Sequence, residues 1–411
     1  MKLDDTVACL DIGSSKICCA ILERHDLTYN IAGFSSNSCF GVKEGTVSNV
    51  DVLSKAIVNE IFKLEEQTKL EVNNIFVNIS GSYIKSLNAN AVLNIEGHSK
   101  KIKQYHIEKV TKKLQDTIEV EDNEEILQVI INDFSVDDQE GVVNPIDMLG
   151  DKLEIKAHVI LSKINQTHNL INCINKAGFG INEIYINSCL AGESVLAEQE
   201  KELGVLLIDI GLGVTDIILY KNNKIEFSHI LPGGGEIIVK EIASKLRVSM
   251  ETAEELMKKY GYVGAESGNE EEEITMPDIY GQEVLDIQVK DISDIINNGV
   301  EKLLEQIRII LYDKGYLKYI AGGIVFTGGF VLLKGLVKKT VIYLECPVRV
   351  GNVSITVDKT EEVIKGAEYS VICGLISVVK KQEFDKLNYI PEINFFRSLK
   401  EKVKTFFLDI F

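Results

Sequence analysis

The chain has 411 residues, of which 45% are hydrophobic and 26% are charged. This length exceeds what one core usually fills, so we expect a folded protein with at least two structural units. The formal net charge of −18 argues against nucleic acid as the main partner, since phosphate binding needs a basic face.

The eight cysteines form no C-x-x-C pair and mostly lie among apolar residues, so we interpret them as reduced thiols of the core. Residues 1–5 are polar and acidic, which argues against a signal peptide. No apolar run reaches the ~20 residues that a membrane-spanning helix needs. We therefore expect a cytoplasmic protein whose contact with a membrane is peripheral.

The first motif is a short apolar strand that ends at Asp11 and runs into a turn of small residues. Gly13, Ser14, Ser15 and Lys16 follow before the chain becomes apolar again. Backbone N–H groups and hydroxyls in such a turn suit a phosphate, while the carboxylate suits hydrated Mg²⁺. Taken alone, the pattern also fits an ordinary hairpin turn.

The region after this motif predicts a helix, a strand and then an insertion. The helix is expected at 52–69 and the strand at 75–79. The less regular stretch 84–160 is predicted to be a small inserted α/β unit. Its expected elements are strands at 91–95, 126–133 and 153–161 and a helix at 106–120.

A second copy of the first motif begins about 200 residues later. Apolar residues lead into Asp209, and Gly211, Gly213 and Thr215 follow, with Asp216 after them. The repeat predicts two similar halves that face each other across a cleft. Two turns of the same design also favour a nucleotide site over a pair of unrelated hairpins.

A run of three glycines follows the second motif. Gly233, Gly234 and Gly235 precede a helix whose free N–H groups are expected to face phosphate or ribose. The expected helices of this region are 236–246, 250–260 and 292–312. The acidic run 266–273 lies between them and is interpreted as a solvated loop.

A glycine pair closes the set of candidate nucleotide contacts. A buried strand runs into Thr327, Gly328 and Gly329. Without a Cβ, such a turn lets a flat adenine or ribose approach the backbone.

The end of the chain differs from the body in its pattern. A polar segment, 380–392, is interpreted as a linker, and 393–411 has the spacing of an amphipathic helix. The apolar face comprises Phe395, Phe396, Leu399, Val403, Phe406, Phe407 and Ile410. More basic than acidic residues lie opposite, which is typical of a helix in the plane of an anionic membrane. The alternative is a last helix packed on the protein's own core.

The order of these motifs resembles that of the actin, sugar-kinase and chaperone ATPase superfamily. Within it, the chain resembles the FtsA family of bacterial cell-division proteins over essentially its whole length. The matching stretches are DIGSSK at 11–16, QEGVVNP at 139–145 with His158, ELG at 202–204, DIG at 209–211, TGG at 327–329 and the C-terminal helix. QEGVVNP is the more specific of these stretches, since other superfamily members lack it.

The resemblance implies an α/β, two-lobed, actin-like fold of the duplicated ribonuclease H-like type, with the FtsA-type inserted subdomain and an amphipathic helix at its C-terminus. The implied parts are a first subdomain (1–83 with 161–202 and 350–379), the insert (84–160), a second subdomain (203–243 with 299–349), a small subdomain (244–298), the linker (380–392) and the terminal helix (393–411).

The resemblance also implies ATP and Mg²⁺ as ligands, with Asp11 and Asp209 holding the ion through water. All the turn residues named above are then nucleotide contacts. Glu254 and Lys258 are placed against the ribose, although Met257 stands at the position where the family has lysine.

The second phosphate turn departs from the family pattern. Leu212 and Val214 stand where the family has Gly and Thr, which removes a hydroxyl from that turn. The stretch 187–190 lacks the acid with which some polymerising relatives position water. Asp209 and Asp216 are therefore the remaining catalytic candidates, and we expect at most slow ATP hydrolysis.

In function, the resemblance implies a self-assembling, ATP-binding scaffold at the division site, on the cytoplasmic face of the membrane. It would tether the FtsZ ring there, bind the C-terminal peptide of FtsZ through 244–298, and help to recruit later division proteins. The alternatives are another actin-like membrane scaffold, of the MreB or PilM type, and a small-molecule kinase. A kinase needs an aspartate base in the cleft, for which Asp216 is the candidate.

Overall fold

The computed structural model describes residues 5–26, 28–97, 100–264, 272–277, 284–358 and 360–388. The amphipathic helix expected at 393–411 lies outside these residues, as do residues 266–271 of the acidic run. Two five-stranded sheets and one four-stranded sheet form the frame of the described part.

The chain begins with the first of the two large sheets. Its opening elements are β1 (Thr6–Ile12), β2 (Lys16–His25), β3 (Thr28–Ser38), the short pair β4 (Val42–Lys43) and β5 (Thr46–Val47), α1 (Val50–Thr68) and β6 (Asn74–Ile79). Strand β1 pairs antiparallel with β2 and parallel with β6. Both faces of β1 are covered, which is why its sequence is a continuous apolar run.

The inserted unit forms a separate sheet with its own core. Its elements are β7 (Lys85–Asn94), α2 (Gln104–Thr117), β8 (Glu124–Val136), β9 (Gln139–Val142) and β10 (Lys152–Lys163). The strand order is β7-β10-β8-β9. Side chains of α2, such as Val110 and Leu114, pack with Ile155 and Val159 of β10 in that core.

The chain then returns to the first sheet and completes it. The elements are α3 (Ile164–Lys176), β11 (Gly180–Ile186), α4 (Asn187–Val195) and α5 (Glu198–Leu203). Strand β11 pairs parallel with β6, so the finished sheet has the order β11-β6-β1-β2-β3.

The second large sheet repeats the plan of the first. Its region comprises β12 (Val205–Ile210), β13 (Val214–Lys221), β14 (Lys224–Pro232), α6 (Gly235–Leu246), α7 (Met250–Tyr260), β15 (Glu273–Pro277), β16 (Val284–Gln288), α8 (Val289–Asp313), β17 (Ile324–Thr327), α9 (Leu336–Leu344) and β18 (Val348–Val350). The order β18-β17-β12-β13-β14 matches β11-β6-β1-β2-β3 strand for strand. The structure is therefore a duplicated, two-lobed α/β fold.

The last described elements join the two lobes. They are β19 (Val353–Thr356), β20 (Val363–Gly366) and α10 (Ser370–Asn388). Val7 of β1, Leu207 of β12 and Ile372 of α10 are fully buried in one shared core. All eight cysteines are free thiols, and six of them are buried.

Helix α10 differs from the expectation for the end of the body. It continues to Asn388, so the first nine residues of the segment interpreted as a linker, 380–388, are helical. No glycine or proline interrupts the extension before Pro391. Among the helices of the described residues, none is both long and apolar enough to cross a membrane.

Candidate nucleotide-binding cleft

The two motifs found in the sequence form hairpins with the same backbone geometry. The N–H of Gly13 donates to the carbonyl of Lys16 at 2.9 Å, and that of Gly211 donates to the carbonyl of Val214 at 3.0 Å. Each hairpin places its aspartate at the end of the first strand. Asp11 on β1 and Asp209 on β12 therefore occupy equivalent positions in the two lobes.

The tips of the two hairpins touch each other. A Cβ added to Gly213 would lie 2.5 Å from Ser14 Oγ and 2.9 Å from the Cα of Glu44. Ser14 Oγ also accepts a hydrogen bond from the N–H of Gly45 at 3.1 Å. Because the space between the lobes is this narrow, only glycine fits at position 213.

The two aspartates are buried carboxyls, and the charge of Asp11 affects the pKa of Asp209. Burial raises the pKa of Asp11 to about 6, opposed by the charge of Lys16 and a hydrogen bond from Asn78. Burial also raises the pKa of Asp209 to about 7, and the charge of Asp11 adds to that rise while Lys16 opposes it. Two acids with costly negative charge beside one lysine are a donor set that fits hydrated Mg²⁺ and phosphate.

Lys16 is held by the turn that precedes α10. Its Nζ donates to the carbonyl of Glu368 and lies 4.1 Å from the centre of the Tyr369 ring. The same turn accepts, at the carbonyl of Ala367, hydrogen bonds from Thr327 Oγ1 at 2.8 Å and from the N–H of Gly328 at 3.1 Å. The turn thus connects the first hairpin with the glycine pair of the second lobe.

The two glycines of that pair have different surroundings. Gly328 has φ +92°, and a Cβ there would lie 2.3 Å from Asp209 Oδ1 and 2.5 Å from the carbonyl oxygen of Ile210. A Cβ on Gly329 would meet nothing within 4 Å. Gly328 therefore allows the turn to pack against Asp209, and Gly329 presents the open side.

The three-glycine run departs from the expectation. The N–H groups of Gly233 and Gly235 donate to the carbonyls of Gly213 and Gly211, both at 3.0 Å, so they are not free for phosphate. The N–H of Glu236 likewise donates to the carbonyl of Leu212 at 2.8 Å. These donors are used to brace the second hairpin.

Gly234 and Thr215 belong to the same brace. A Cβ on Gly234 would lie 2.3 Å from the carbonyl oxygen of Gly211. Thr215 is fully buried and its hydroxyl donates to the carbonyl of Gly233 at 3.0 Å. Both residues therefore shape the hairpin from behind.

The other predicted contacts lie at the surface. Ser15 is exposed, and its carbonyl accepts from the N–H of Cys39 at 3.0 Å. Glu254 and Lys258 form an ion pair of 2.6 Å on α7, with Lys258 70% exposed. That pairing is the common i, i+4 arrangement on an exposed helix face.

Asp216, the second catalytic candidate, is a deeply buried carboxyl. It is 2% exposed, and Ser80 Oγ donates to its two oxygens at 2.8 and 2.9 Å. Burial, with a smaller contribution from the charge of Asp209, raises its pKa well above the ordinary value, and the Ser80 hydrogen bond opposes the rise. A carboxyl in this setting is poorly placed to take a proton from a substrate.

Sequence reasoning missed the polar residues at the end of β6. Asn78 and Ser80 lie beside Asp11 and Asp216, and Asn78 also reaches Asn187 at the start of α4. Their signal was polar side chains at the carboxyl end of an apolar parallel strand, the edge at which α/β folds bind ligands.

Comparison with known proteins gives two matches to family models. The model described as "Cell division protein FtsA" matches residues 206–374, and "SHS2 domain inserted in FTSA" matches residues 81–161. The curated FtsA of Pseudomonas aeruginosa is 28% identical over 92% of this chain and 90% of its own. That of Borreliella burgdorferi is 28% identical over 96% of this chain and 95% of its own.

Solved structures show the same fold. A PilM-PilN type IV pilus biogenesis complex aligns with TM-score 0.61 at 16% identity, over 91% of this chain and 98% of the other. MreB5 of Spiroplasma citri bound to ADP aligns with TM-score 0.56 at 13% identity, over 93% of this chain and 98% of the other. A MamK double helical filament aligns with TM-score 0.51 at 11% identity, over 91% of this chain and 98% of the other. These likenesses and the inserted SHS2 domain confirm the predicted actin-like fold class.

Proposed function

The chain belongs to the FtsA family of cell-division proteins, and we propose that it is an ATP-binding, self-assembling scaffold that tethers the FtsZ ring to the cytoplasmic face of the cell membrane. It is an actin-like protein of cell division. The observation that carries the nucleotide part is the meeting of the two hairpins, with their buried aspartates, at Gly213.

The residues of the cleft fit ATP with Mg²⁺. Asp11 and Asp209 would hold hydrated Mg²⁺, while the N–H groups and hydroxyl at Ser14 and the charge of Lys16 would meet phosphate. The bound ion would neutralise part of the phosphate charge. The open side of Gly329 suits the adenosine. The related fold of MreB5, solved with ADP, supports a nucleotide in this place.

ATP binding would join the lobes. Ser14 comes from one lobe and lies close to Gly213 of the other, so a ligand bound at the two hairpins would contact both lobes. The closed arrangement is then favoured by as much as the ligand prefers it to an open one. Because Asp216 is buried and held by Ser80, we infer that binding is the principal event and that hydrolysis is slow.

The same feature argues against the kinase alternative. A sugar-type kinase needs a carboxylate that can accept the proton of a substrate hydroxyl. Asp216 is only 2% exposed, and the Ser80 hydroxyl lies within hydrogen-bond distance of both its oxygens, so a substrate hydroxyl has little access to it. The MreB and PilM alternatives rest on likenesses of 13% and 16% identity, which concern the fold, whereas the family models are those of FtsA.

Membrane attachment is assigned to residues 393–411. A protein with net charge −18 is repelled as a whole by anionic lipid, so attraction must come from a local segment that is apolar and basic. One such helix binds reversibly, and assembly into a filament would multiply its effect through avidity. The MamK structure is a double helical filament, so a protein of related fold forms filaments, which supports this proposal.

The membrane part is tested by co-pelleting with anionic liposomes. The full chain is compared with a version that ends at Glu392, each with and without ATP and Mg²⁺. We expect only the full chain to pellet, and more strongly with ATP. Equal pelleting of the two versions would refute the anchor and the tethering role that depends on it.

The FtsZ part is tested separately. Residues 244–298 include α7, β15, β16 and the start of α8, and we propose that the C-terminal peptide of FtsZ docks there. Calorimetric titration of the full chain with that peptide should give saturable binding, and a scrambled peptide should give none. Equal heats from both peptides would remove this partner without affecting the nucleotide or membrane proposals.

A further inference from the structure

Asn78 lies at the centre of a buried network beside the first hairpin. It is 1% exposed and follows Val77 of β6, which pairs with Leu10 of β1, so it stands next to Asp11. Side chains at the carboxyl end of a parallel strand face the ligand edge of such a sheet.

The amide of Asn78 uses both of its functional ends. Its Oδ1 accepts from the N–H of Ile12 at 2.7 Å. Its Nδ2 donates to Asp11 Oδ1 at 2.7 Å and to Asn187 Oδ1 at 2.9 Å. Both side-chain N–H donors are thereby used, and one of them meets a charged acceptor, which gives the stronger kind of hydrogen bond.

The second lobe has no such amide at the equivalent place. Thr327 pairs with Asp209 in the register of β17 and β12. Asn78 follows Val77, the last β6 residue paired with β1, and so takes the equivalent place beside Asp11. The hydroxyl of Thr327 donates to the carbonyl of Ala367. Asp11 is therefore oriented by the side-chain amide of Asn78, whereas Thr327, the strand neighbour of Asp209, donates to Ala367 instead.

We propose that Asn78 is a positioning residue for Mg²⁺ in the nucleotide cleft. It holds Asp11 Oδ1 and the backbone of Ile12 in place, so that the Asp11 carboxylate would be oriented for a hydrated ion. Through Asn187 it also ties this carboxylate to the start of α4. Asn78 itself touches neither the ion nor the nucleotide, and the inference rests on the proposed binding of Mg²⁺ with ATP.

The test measures nucleotide affinity of the full chain with a fluorescent ATP analogue, at a series of Mg²⁺ concentrations and in excess EDTA. The variants are Asn78→Thr, which places in the first lobe the residue that the second lobe uses, and Asn78→Ala. Asn73→Ala, an exposed position just before β6, is the matched control. Asn187→Ala removes the far end of the network only.

We expect Asn78→Thr and Asn78→Ala to need about 10-fold to 100-fold more Mg²⁺ for half of the affinity gain, as is usual when a residue orienting a metal-binding group is lost. Affinity in EDTA should change less than about twofold, because the phosphate turn remains. Asn73→Ala should behave like the unmodified chain. Asn187→Ala should raise the Mg²⁺ requirement less than either Asn78 variant, because Asn78 keeps its hydrogen bonds to Asp11 and Ile12.

An unchanged Mg²⁺ requirement in both Asn78 variants would overturn the proposal. So would an equal loss of affinity with Mg²⁺ and in EDTA, which would indicate a structural role. If Asn78→Ala does not fold, the threonine variant decides. Absence of any Mg²⁺-dependent binding by the unmodified chain is a different result, because it refutes the proposed nucleotide function itself.

Discussion

The two hairpins of the cleft share a backbone but carry different side chains. In chain order, Ser14 corresponds to Leu212 and Lys16 to Val214. The first hairpin supplies a hydroxyl and a positive charge, whereas the second supplies the space at Gly213. The two halves thus share the same backbone structure, but their hairpins carry side chains with different chemical roles.

The difference extends to the strands behind the hairpins. Asp216 of β13 stands opposite Asp209, in the place where Cys18 of β2 stands opposite Asp11. The second lobe therefore buries two acids side by side, and the first lobe buries one acid beside a thiol. Paired substitutions would show how much each of these features contributes to the free energy of unfolding.

The largest effect is expected at the glycine pair. Gly328→Ala forces a positive φ on an L residue and a Cβ within 2.3 Å of Asp209 Oδ1, so the free energy of unfolding should fall by roughly 3 kcal/mol or more. Gly329→Ala, with open space at its Cβ, should change it by less than about 0.5 kcal/mol. Urea denaturation without nucleotide measures both. Similar losses from the two substitutions would contradict the distinction between them.

The next effect concerns the two aspartates and pH. Both have folded-state pKa values, about 6 and about 7, above the ordinary value of 3.8, so the folded protein holds their protons more tightly than the unfolded chain does. The contribution of these two groups to the stability of the nucleotide-free protein should therefore be complete below about pH 4, and it should be lost as the pH rises through 7.

Neutralising these acids should reverse that loss. At pH 8, Asp209→Asn should raise the free energy of unfolding by roughly 2–3 kcal/mol, and Asp11→Asn by less because its pKa is raised less. Urea titrations at pH 5 and pH 8 measure the effect, with exposed Asp122→Asn as the control. The same gain at both pH values would show that burial of charge is not the cause.

The smallest effect is expected at two serine hydroxyls, one that hydrogen-bonds to Asp216 of β13 and one that hydrogen-bonds to Cys18 of β2. Ser80→Ala removes the donor to both oxygens of Asp216 and should cost about 1–2 kcal/mol of unfolding free energy. Ser36→Ala removes only a weak acceptor for the Cys18 thiol, 3.4 Å away, and should cost less than about 0.5 kcal/mol. Equal costs measured by urea denaturation would mean that Asp216 does not depend on Ser80.

The sequence alone determined the parts that local patterning controls. Apolar runs bounded by Asp-Ile-Gly turns identified both hairpins, and the repeat predicted the duplicated fold, because strand burial and glycine turns depend mostly on nearby residues. Periodicity placed α1, α6, α7 and α8 within a few residues of their ends. The segment 380–392 was interpreted as a linker, yet residues 380–388 are helical, since polar residues alone do not stop a helix.

Only the tertiary structure decided which donors remain available to a ligand. The N–H groups of Gly233 and Gly235 and the hydroxyl of Thr215 read as phosphate contacts, yet folding uses them to brace the second hairpin. Asn78, by contrast, reads as one polar residue in an apolar strand. Its partners Asp11 and Asn187 are 67 and 109 residues away, and no local pattern specifies contacts over such separations.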